Sequence, residues 1–218
     1  MNFSRQFRES LNIPLTLLAI MWVFHILKVI LPYNFVQLGV YPRIPQGLKG
    51  IIFSPLVHSD WQHLISNSVP FLVLSIMIYF FYSRVANRSM ILIYILTGLA
   101  VWLFGRRVFH IGASGVVYGL LAFVFWSGIF RRSLKSIVLA LIVMFLYSGY
   151  FLGVLPNQEG ISWESHLLGA LSGIFTAFWY KNEIEADEEK ERPSWETEEP
   201  EPEQFFLDRD VFNQRKGE

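Results

Sequence analysis

The sequence of 218 residues contains no cysteine. Disulfide bonds, a thiol nucleophile and thiolate metal ligands are therefore excluded. Charged residues are also scarce, at 17% of the chain, and much of the Asp and Glu follows Glu183. The formal net charge of zero is thus a sum over two unlike parts and says little about partners. We find no internal repeat and no nucleotide-binding glycine motif.

Apolar residues are abundant, at 53% of the chain with a mean hydropathy of +0.38. A membrane span needs about 20 mostly apolar residues, and the runs are too long and too little alternating for strands. The first run follows basic residues like a signal peptide, but it is too long and lacks a cleavage site. The sequence predicts an all-α integral membrane protein with six transmembrane helices. The six predicted spans are Ile13–Leu31, Leu64–Tyr82, Met90–Phe104, Val116–Phe130, Ser136–Leu155 and Ile161–Tyr180.

Basic residues in the short connections indicate the orientation. With the N-terminus inside, the inner segments hold eight of them: Arg5, Arg8, Arg84, Arg88, Arg131, Arg132, Lys135 and Lys181. The outer segments hold four: Arg43, Lys49, Arg106 and Arg107. We therefore expect both termini in the cytoplasm, and the second, fourth and sixth helices running from outside to inside. Arg106 and Arg107 are interpreted as lipid headgroup contacts.

Two segments lie outside the predicted spans. Residues 32–62 are rich in proline and glycine but also in aromatic and aliphatic side chains, which favours a packed interfacial element on the outer surface over a plain connector. After Tyr180 the chain becomes acidic and nearly free of aliphatics, so it cannot bury enough apolar surface to order itself. We predict a membrane domain over residues 1–182 and a disordered, acidic cytoplasmic tail over residues 183–218.

Polar side chains recur at the start of three predicted spans. His63 and Asn67 are four residues apart and share one helical face. Ser114 begins the fourth helix, and His166 lies about a turn into the sixth. Because these helices start on the same side, the groups fall within one narrow band of depth. Unpaired polar groups are costly in lipid, so each is a functional candidate, and together they predict a shared cavity.

These residue types indicate acyl transfer. A serine hydroxyl needs a base to take its proton, and histidine is the usual base, so Ser114 and His166 predict a dyad. The oxyanion that develops needs donors, which His63, Asn67 and the backbone N–H groups at the start of the fourth helix can supply. The sequence offers no third carboxylate, since Glu164 is only two residues from His166 and does not face it.

Glycines accompany the candidate dyad. Gly112 and Gly115 flank the Ala113–Ser114 pair and let backbone approach closely. Two G-x-x-x-G spacings, of the kind that lets membrane helices pack tightly, lie just below the dyad. The spacings are formed by Gly115 with Gly119 and by Gly169 with Gly173. If these two faces meet, they bring Ser114 and His166 together.

Other interpretations stay open. Ser114 alone fits a helix cap, His166 a core histidine and Asn67 a helix-bridging residue. One rival function is a metal or haem protein, and another is a non-catalytic binder of transmembrane segments. His25 and His110 have no clear partner in the sequence. The residues that the metal or haem rival would use are His58, His63, His110 and His166.

The motifs "GASG" at 112–115, "HLISN" at 63–67 and "SHLLGALSG" at 165–173 resemble those of the rhomboid intramembrane serine proteases. The resemblance covers roughly residues 10 to 182. It implies a six-helix bundle with Ser114 as nucleophile and His166 as base, in a dyad without an acidic member.

The resemblance also implies roles for further residues. His63, Asn67 and the Ser114 backbone N–H would form the oxyanion hole, and Tyr118 would pack against the catalytic histidine. The end of the fifth helix, near Leu155, and the loop after it would form a substrate gate. The sequence departs from many relatives at Ser165, where alanine is common. It also lacks the first-loop Trp-Arg pair and a glutamate at the end of the second helix.

The resemblance therefore implies an intramembrane serine endopeptidase that cleaves transmembrane segments near the outer face. We expect transmembrane protein substrates and the lipid bilayer as partners, and no cofactor, metal or nucleic acid. The expected location is a bacterial inner membrane. The substrate is not identified by the sequence.

Overall fold

The computed structural model describes residues 3–156 and 162–185. Within these ranges the chain consists of helices and turns, with one isolated antiparallel bridge between Val40 and His110. We call the second, fourth and sixth long helices the His63 helix, the Ser114 helix and the His166 helix. The six long helices are Phe3–Ile30, Trp61–Phe81, Ala86–Phe104, Ser114–Arg131, Leu134–Leu146 and Trp163–Trp179. The all-α fold class is confirmed.

Several of these helices are suited to a membrane. In the described part of the chain, four are long and apolar enough to cross it: Ser4–Ile30, Trp61–Phe81, Ala86–Phe104 and Ser114–Arg131. A bent pair of helices after Arg131 makes a fifth if it counts as one span. The His166 helix has 17 residues, which is about 25 Å at 1.5 Å per residue. The chain is an integral, multi-pass membrane protein, and the count of six spans stays a prediction.

The Ser114 helix is the central element of the bundle. Of its apolar stretch, 61% is buried, compared with 17% for the first helix. It packs against the His166 helix, the His63 helix and the Leu134–Leu146 helix. Its fully buried side chains include Val117, Leu120 and Phe123. The first helix instead leaves large apolar side chains such as Ile30 exposed, as expected for a helix that faces lipid.

The loop before the His63 helix is packed on the bundle. It forms the short helical turns Phe35–Leu38, Pro45–Lys49, Gly50–Phe53 and Ser54–Leu56. The indole N–H of Trp102 donates to the carbonyl of Ile44 at 3.0 Å, and the hydroxyl of Tyr94 donates to the carbonyl of Ile52. These contacts fasten the loop to the Ala86–Phe104 helix. Its position on the outer membrane surface stays a prediction.

The fifth predicted span, Ser136–Leu155, is not one straight helix. The α-helix Leu134–Leu146 is followed by the 3₁₀ helix Ser148–Val154, bent by 69° relative to it. In the second part, a Cβ atom at Gly153 would overlap the hydroxyl oxygen of Tyr118. A larger residue at position 153 would therefore force the turn or the Tyr118 ring to move. The expected gate loop falls mostly on residues 157–161, which lie outside the described residues.

The predicted acidic tail is described only as far as Glu185, and its other residues lie outside the described part. The Glu185 carboxylate is buried, and it accepts from the Ser83 hydroxyl and the Arg84 backbone N–H, each at 3.0 Å. Glu183 forms an ion pair with Arg88. The segment after the His166 helix thus contacts the turn that follows the His63 helix. The domain boundary after residue 182 stays a prediction.

Candidate active site

One cavity of about 660 Å³ lies at the starts of the His63, Ser114 and His166 helices. Five of the residues singled out in the sequence line it: Ser114, His166, His63, Asn67 and Tyr118. They come from three helices that are far apart in the chain. The tertiary structure therefore brings together the side chains that the sequence placed at one depth.

Ser114 is the first residue of its helix and is half-buried at the cavity wall. The turn before it is held by hydrogen bonds to the preceding loop. Gly112 has a φ of +101°, which favours glycine, and its N–H donates to the carbonyl of Ser54 at 2.8 Å. The N–H of Ala113 donates to Nε2 of His58 at 3.3 Å. The N–H groups of the first helical turn have no intrahelical partners, so they are available as donors.

His166 is buried and held on two sides. Its Nδ1 atom lies 2.8 Å from the carbonyl oxygen of Gly153. A carbonyl only accepts, so Nδ1 carries the hydrogen, and Nε2 of the neutral ring has the lone pair. The ring stacks on Tyr118 with centroids 4.2 Å apart and an angle of 13°. The Tyr118 hydroxyl in turn donates to the carbonyl of Tyr150 at 2.8 Å.

The four glycines of the two G-x-x-x-G spacings form the contact between the Ser114 and His166 helices. A Cβ atom at Gly169 would overlap the carbonyl oxygen of Gly115, and one at Gly173 would overlap that of Gly119. The reverse contact is also close, since a Cβ at Gly119 would lie 3.1 Å from the carbonyl oxygen of Gly169. The backbones therefore meet without side chains between them, and this sets Ser114 and His166 on the same cavity.

Ser114 and His166 share this cavity without a direct bond. Within the described residues, the Ser114 hydroxyl makes no hydrogen bond to His166. Catalytic hydrogen bonds are often long in unliganded enzymes and tighten when substrate binds.

His63 and Asn67 lie beside the backbone that precedes Ser114. A Cβ atom at Gly112 would be 2.7 Å from Cε1 and Nε2 of His63 and 3.8 Å from Nδ2 of Asn67. Nδ2 of Asn67 also donates to the carbonyl of His63 at 3.1 Å, which leaves its second N–H available. The side chains thus bring an imidazole edge and an amide donor to one side of the turn at Ser114.

His58 supports the same turn, a role that the sequence did not indicate. It is fully buried, and burial together with the nearby His63 lowers its pKa to about 3. The neutral ring accepts the Ala113 N–H, and it packs edge-on against His63 with centroids 5.0 Å apart. From the sequence, His58 was a candidate only as a metal ligand. It follows a long loop whose path the sequence does not predict, so its contact with Ala113 could not be anticipated.

Arg106 has a protein partner that the sequence did not indicate, and its interpretation as a headgroup contact stays a prediction. Its guanidinium pairs with Glu164, through Nε and through Nη2 at 3.2 Å from Oε2. The Glu164 side chain is 7% exposed and that of Arg106 is 60% exposed. The pair ties the segment before Ser114 to the first turn of the His166 helix.

His110 has partners on both nitrogens, although the sequence offered none. Nε2 donates to the carbonyl of Arg106 at 2.9 Å, so Nδ1 of the neutral ring accepts from the Ser162 hydroxyl. The Ser162 and Ser165 hydroxyls lie 2.7 Å apart. Burial lowers the pKa of His110, which favours this neutral form. Ser165, where the sequence departs from many relatives, thus extends a polar connection between the two segments.

The four histidines of the metal or haem hypothesis do not form one cluster. His58 and His63 are adjacent, whereas His110 bonds to Ser162. In the described ranges, no group of three or more His, Cys, Asp or Glu side chains is placed to hold a metal ion.

The fold and the cavity define a class: a helical, multi-pass membrane protein with a donor-lined polar cavity at one end of its bundle. Residues 45–183 match the family model described as the Rhomboid domain. The chain belongs to the rhomboid family, whose members are generally intramembrane serine proteases.

The chain is also similar to uncharacterized mycobacterial proteins. It is 35% identical over 154 residues to a protein of Mycobacterium tuberculosis and to one of Mycobacterium bovis. Each alignment covers 64% of this chain and 62% of the relative, so the chain spans less than two thirds of their length. A protein of Mycobacterium leprae is 32% identical over 178 residues, which cover 75% of this chain and 68% of that protein.

Proposed function

We propose that this protein is an intramembrane serine endopeptidase that cleaves transmembrane segments of membrane proteins near the outer membrane face. Ser114 is the nucleophile and His166 is the general base. The observation that carries the proposal is the hydrogen bond from Nδ1 of His166 to the carbonyl of Gly153, at 2.8 Å. It leaves Nε2 with a lone pair at the cavity that Ser114 also lines.

The reaction moves one proton at a time through His166. Nε2 of His166 takes the proton of the Ser114 hydroxyl as Oγ attacks the carbonyl carbon of the scissile peptide bond. The C–N bond breaks, and the imidazolium gives its proton to the leaving amine. A water molecule then attacks the acyl ester and gives a proton to His166. That proton returns to Oγ of Ser114 as the new carboxyl end leaves.

The dyad needs no carboxylate to orient its histidine. The Gly153 carbonyl fixes the tautomer of His166, and the Tyr118 ring fixes its plane. In a triad, a carboxylate would hold the ring and also stabilise the imidazolium. Here the dipole of the Gly153 carbonyl holds the ring and partly stabilises the imidazolium.

His63, Asn67 and the backbone N–H of Ser114 serve as the oxyanion hole. Preorganised donors of this kind are usually the largest single contribution to acyl transfer. The support comes from the position of the His63 edge and the Asn67 amide beside Gly112. Gly112 and Gly115 let the backbone approach closely at the nucleophile, and Gly169 and Gly173 hold the base against it.

The proposed setting is supported by topology and composition. Both termini lie in the cytoplasm of a bacterium, and the cavity lies near the outer face of the inner membrane. The eight-to-four distribution of basic residues supports this orientation. The substrates are transmembrane proteins in the same bilayer. The reaction requires no cofactor and no metal, because serine, histidine and water supply every proton and nucleophile.

Labelling by a fluorophosphonate probe in detergent tests the proposal. The purified protein should be labelled, and the Ser114→Ala variant should not be. Ser66→Ala is the matched control, because Ser66 lines the same cavity but turns its hydroxyl to its own helix, donating to the His63 carbonyl at 3.0 Å. Absence of labelling and of cleavage in the folded wild-type protein would favour the non-catalytic binder of transmembrane segments.

Chelator treatment separates the proposal from the metal hypothesis. Incubation with EDTA should leave cleavage of a model transmembrane substrate unchanged. Loss of activity with the chelator, restored by added zinc, would contradict the dyad mechanism.

A further inference from the structure

A chain of hydrogen bonds that the dyad does not use leads to His63. Oδ1 of Asp60 accepts the backbone N–H of His63 at 2.8 Å and caps the His63 helix. Oδ2 of Asp60 accepts the hydroxyl of Ser59 at 2.6 Å. Oγ of Ser59 lies 3.1 Å from Nδ1 of His63. All three residues line the same cavity as Ser114.

The carboxylate sets the direction of every hydrogen bond in this chain. An ionised carboxylate only accepts, and the bonds from Ser59 and the His63 backbone lower the pKa of Asp60. The single hydroxyl hydrogen of Ser59 is thus used toward Asp60. Oγ of Ser59 can then only accept from His63, so Nδ1 of His63 carries a hydrogen.

This direction has a consequence for the other nitrogen of His63. A neutral imidazole has one N–H, so Nε2 presents a lone pair when Nδ1 is protonated. Nε2 is on the edge of the ring that lies against Gly112, two residues before Ser114. A lone pair there repels a developing oxyanion, whereas an N–H there stabilises it.

We propose that Asp60 and Ser59 are positioning residues that fix the Nδ1–H tautomer of His63, so that Nε2 donates to the oxyanion only when His63 holds a second proton. The inference rests on the proposed function, because it deepens the oxyanion role of His63. It makes the stabilisation of the oxyanion depend on pH, through a residue that moves no proton in the reaction.

Among the described charged and titratable groups around His63, Asp60 is the one that carries a negative charge. From the first helix, the Lys28 amine donates to the carbonyls of His58, at 2.7 Å, and of Ser59. Burial lowers the pKa of His58 to about 3, so that ring stays neutral. The described groups that act on the charge of His63 are His25, Lys28, His58, Asp60 and His166. The Asp60 carboxylate favours a second proton on His63, whereas burial of the ring, Lys28 and His25 oppose it.

Two limbs of the pH profile follow. At acid pH, protonation of His166 removes the base and lowers kcat. At alkaline pH, loss of the second proton from His63 removes an oxyanion donor. Loss of one such donor costs about 10²–10³ in rate, so we expect kcat of the wild-type protein to fall by up to about that factor along the alkaline limb.

The Asp60→Asn variant reverses the direction of the hydrogen bonds that link residue 60, Ser59 and His63. Its amide oxygen still caps the helix, since asparagine is among the best N-caps. Its amide N–H now donates to Oγ of Ser59, which frees the Ser59 hydrogen for Nδ1 of His63. Neutral His63 then carries its hydrogen on Nε2 and donates without a second proton. We expect the alkaline limb of kcat to flatten, while the acid limb is unchanged.

The experiment compares pH profiles of kcat for cleavage of a model transmembrane peptide. Wild type, Asp60→Asn, Ser59→Ala and Ser59→Thr are measured at equal thermal stability. Ser59→Ala removes the acceptor for Nδ1–H of His63, so the tautomer is no longer fixed and the alkaline limb should change. Ser59→Thr keeps a hydroxyl at this position and should give the wild-type alkaline limb. An alkaline limb that is the same in wild type, Asp60→Asn and Ser59→Ala would overturn the proposal.

A second measurement does not depend on activity. Nitrogen NMR of the ¹⁵N-histidine-labelled protein, with His63→Gln to assign the signal, reports which nitrogen of His63 is protonated. We expect Nδ1–H in the wild type at alkaline pH and Nε2–H in Asp60→Asn. Nε2–H in the wild type would refute the tautomer. If Ser114 is not labelled by the fluorophosphonate, the proposed function fails, whatever the tautomer of His63.

Discussion

Nδ1 of His166 lies 2.8 Å from the carbonyl oxygen of Gly153. The bond joins the first turns of the His166 helix to the 3₁₀ turn that ends the bent fifth span. A backbone group thus contacts the nitrogen that a carboxylate contacts in a catalytic triad. The contact is possible because Gly153 lacks a Cβ atom, which would otherwise overlap the Tyr118 hydroxyl.

Substitution of Gly153 tests this relationship. In Gly153→Ala, the new methyl group would overlap Tyr118 and lie 3.3 Å from Nδ1 of His166. Either the turn or the Tyr118 ring must move, and a misplaced base costs up to about 10²-fold in rate. We expect kcat to fall by about 10- to 100-fold at little cost in KM. Gly149→Ala is the control, because nothing lies within 4 Å of a Cβ there; equal kcat values for the two variants would refute the role of Gly153.

The candidate dyad predicts non-additive losses. Ser114→Ala and His166→Ala should each abolish cleavage of a model transmembrane substrate. The double variant should be no worse than either single variant, because residues that act as a unit lose their effect together. Residual rates measured in the three purified proteins check this. Independent losses that multiply in the double variant would show that the two residues act in separate steps.

Asn67 is expected to affect turnover more than nucleophile reactivity. Asn67→Ala removes one oxyanion donor, which costs about 10²–10³ in rate, while the backbone N–H at Ser114 remains. Fluorophosphonate labelling of Ser114 should persist, since the dyad stays assembled. Turnover and labelling are compared in protein of equal thermal stability. Wild-type turnover would remove Asn67 from the mechanism, and complete loss of labelling would assign it to the nucleophile site itself.

The ion pair of Arg106 with Glu164 is expected to stabilise the site. Arg106→Ala leaves a buried carboxylate without its partner, and because the arginine is partly exposed we expect a loss of about 1–2 kcal/mol in the free energy of unfolding. Arg107→Ala, at the neighbouring exposed arginine, should change it by less than about 0.5 kcal/mol. Denaturation in mixed micelles measures both. Equal losses of unfolding free energy in Arg106→Ala and Arg107→Ala would mean that the ion pair with Glu164 adds no stability of its own.

His58 makes stability depend on pH. Its pKa of about 3 in the folded protein lies below the 6.5 of an unperturbed histidine. The unfolded chain therefore binds more protons between these values, and the free energy of unfolding falls as pH drops from about 6.5 toward 3. The shift corresponds to roughly 4–5 kcal/mol over that window. Thermal unfolding at pH 7 and pH 4 should differ less in His58→Gln than in the wild type, and an equal difference would contradict the contribution of His58.

The fold class could be read from the sequence, because apolar runs near 20 residues have few alternatives to membrane helices. The helix bounds were predicted within a few residues for most spans. The sequence did not indicate the bend in the fifth span, because the apolar composition of Ser136–Leu155 continues across it. The contact of Gly153 with Tyr118 and His166, which lies after the bend, depends on packing between segments and could not be read from composition.

For the candidate site, the sequence determined which residues reach one depth. Helical periodicity and the shared direction of three helices placed Ser114, His166, His63 and Asn67 at the same end of the bundle, and their roles stay predictions. The partners of Arg106 and His110 could not be found in this way. Both depend on contacts between segments more than 50 residues apart.

The sequence by itself determined the chemistry available to this protein: serine, histidine and amide groups on membrane helices, with no thiol and no cluster of acidic residues near the base. The tertiary structure alone decided how those groups are oriented. The tautomers of His166 and His63 follow from a carbonyl 13 residues away and from a Ser59–Asp60 pair whose hydrogen bonds have a direction. A linear pattern specifies which atoms are present, but the position of a proton depends on which atom lies opposite, and only packing in three dimensions decides that.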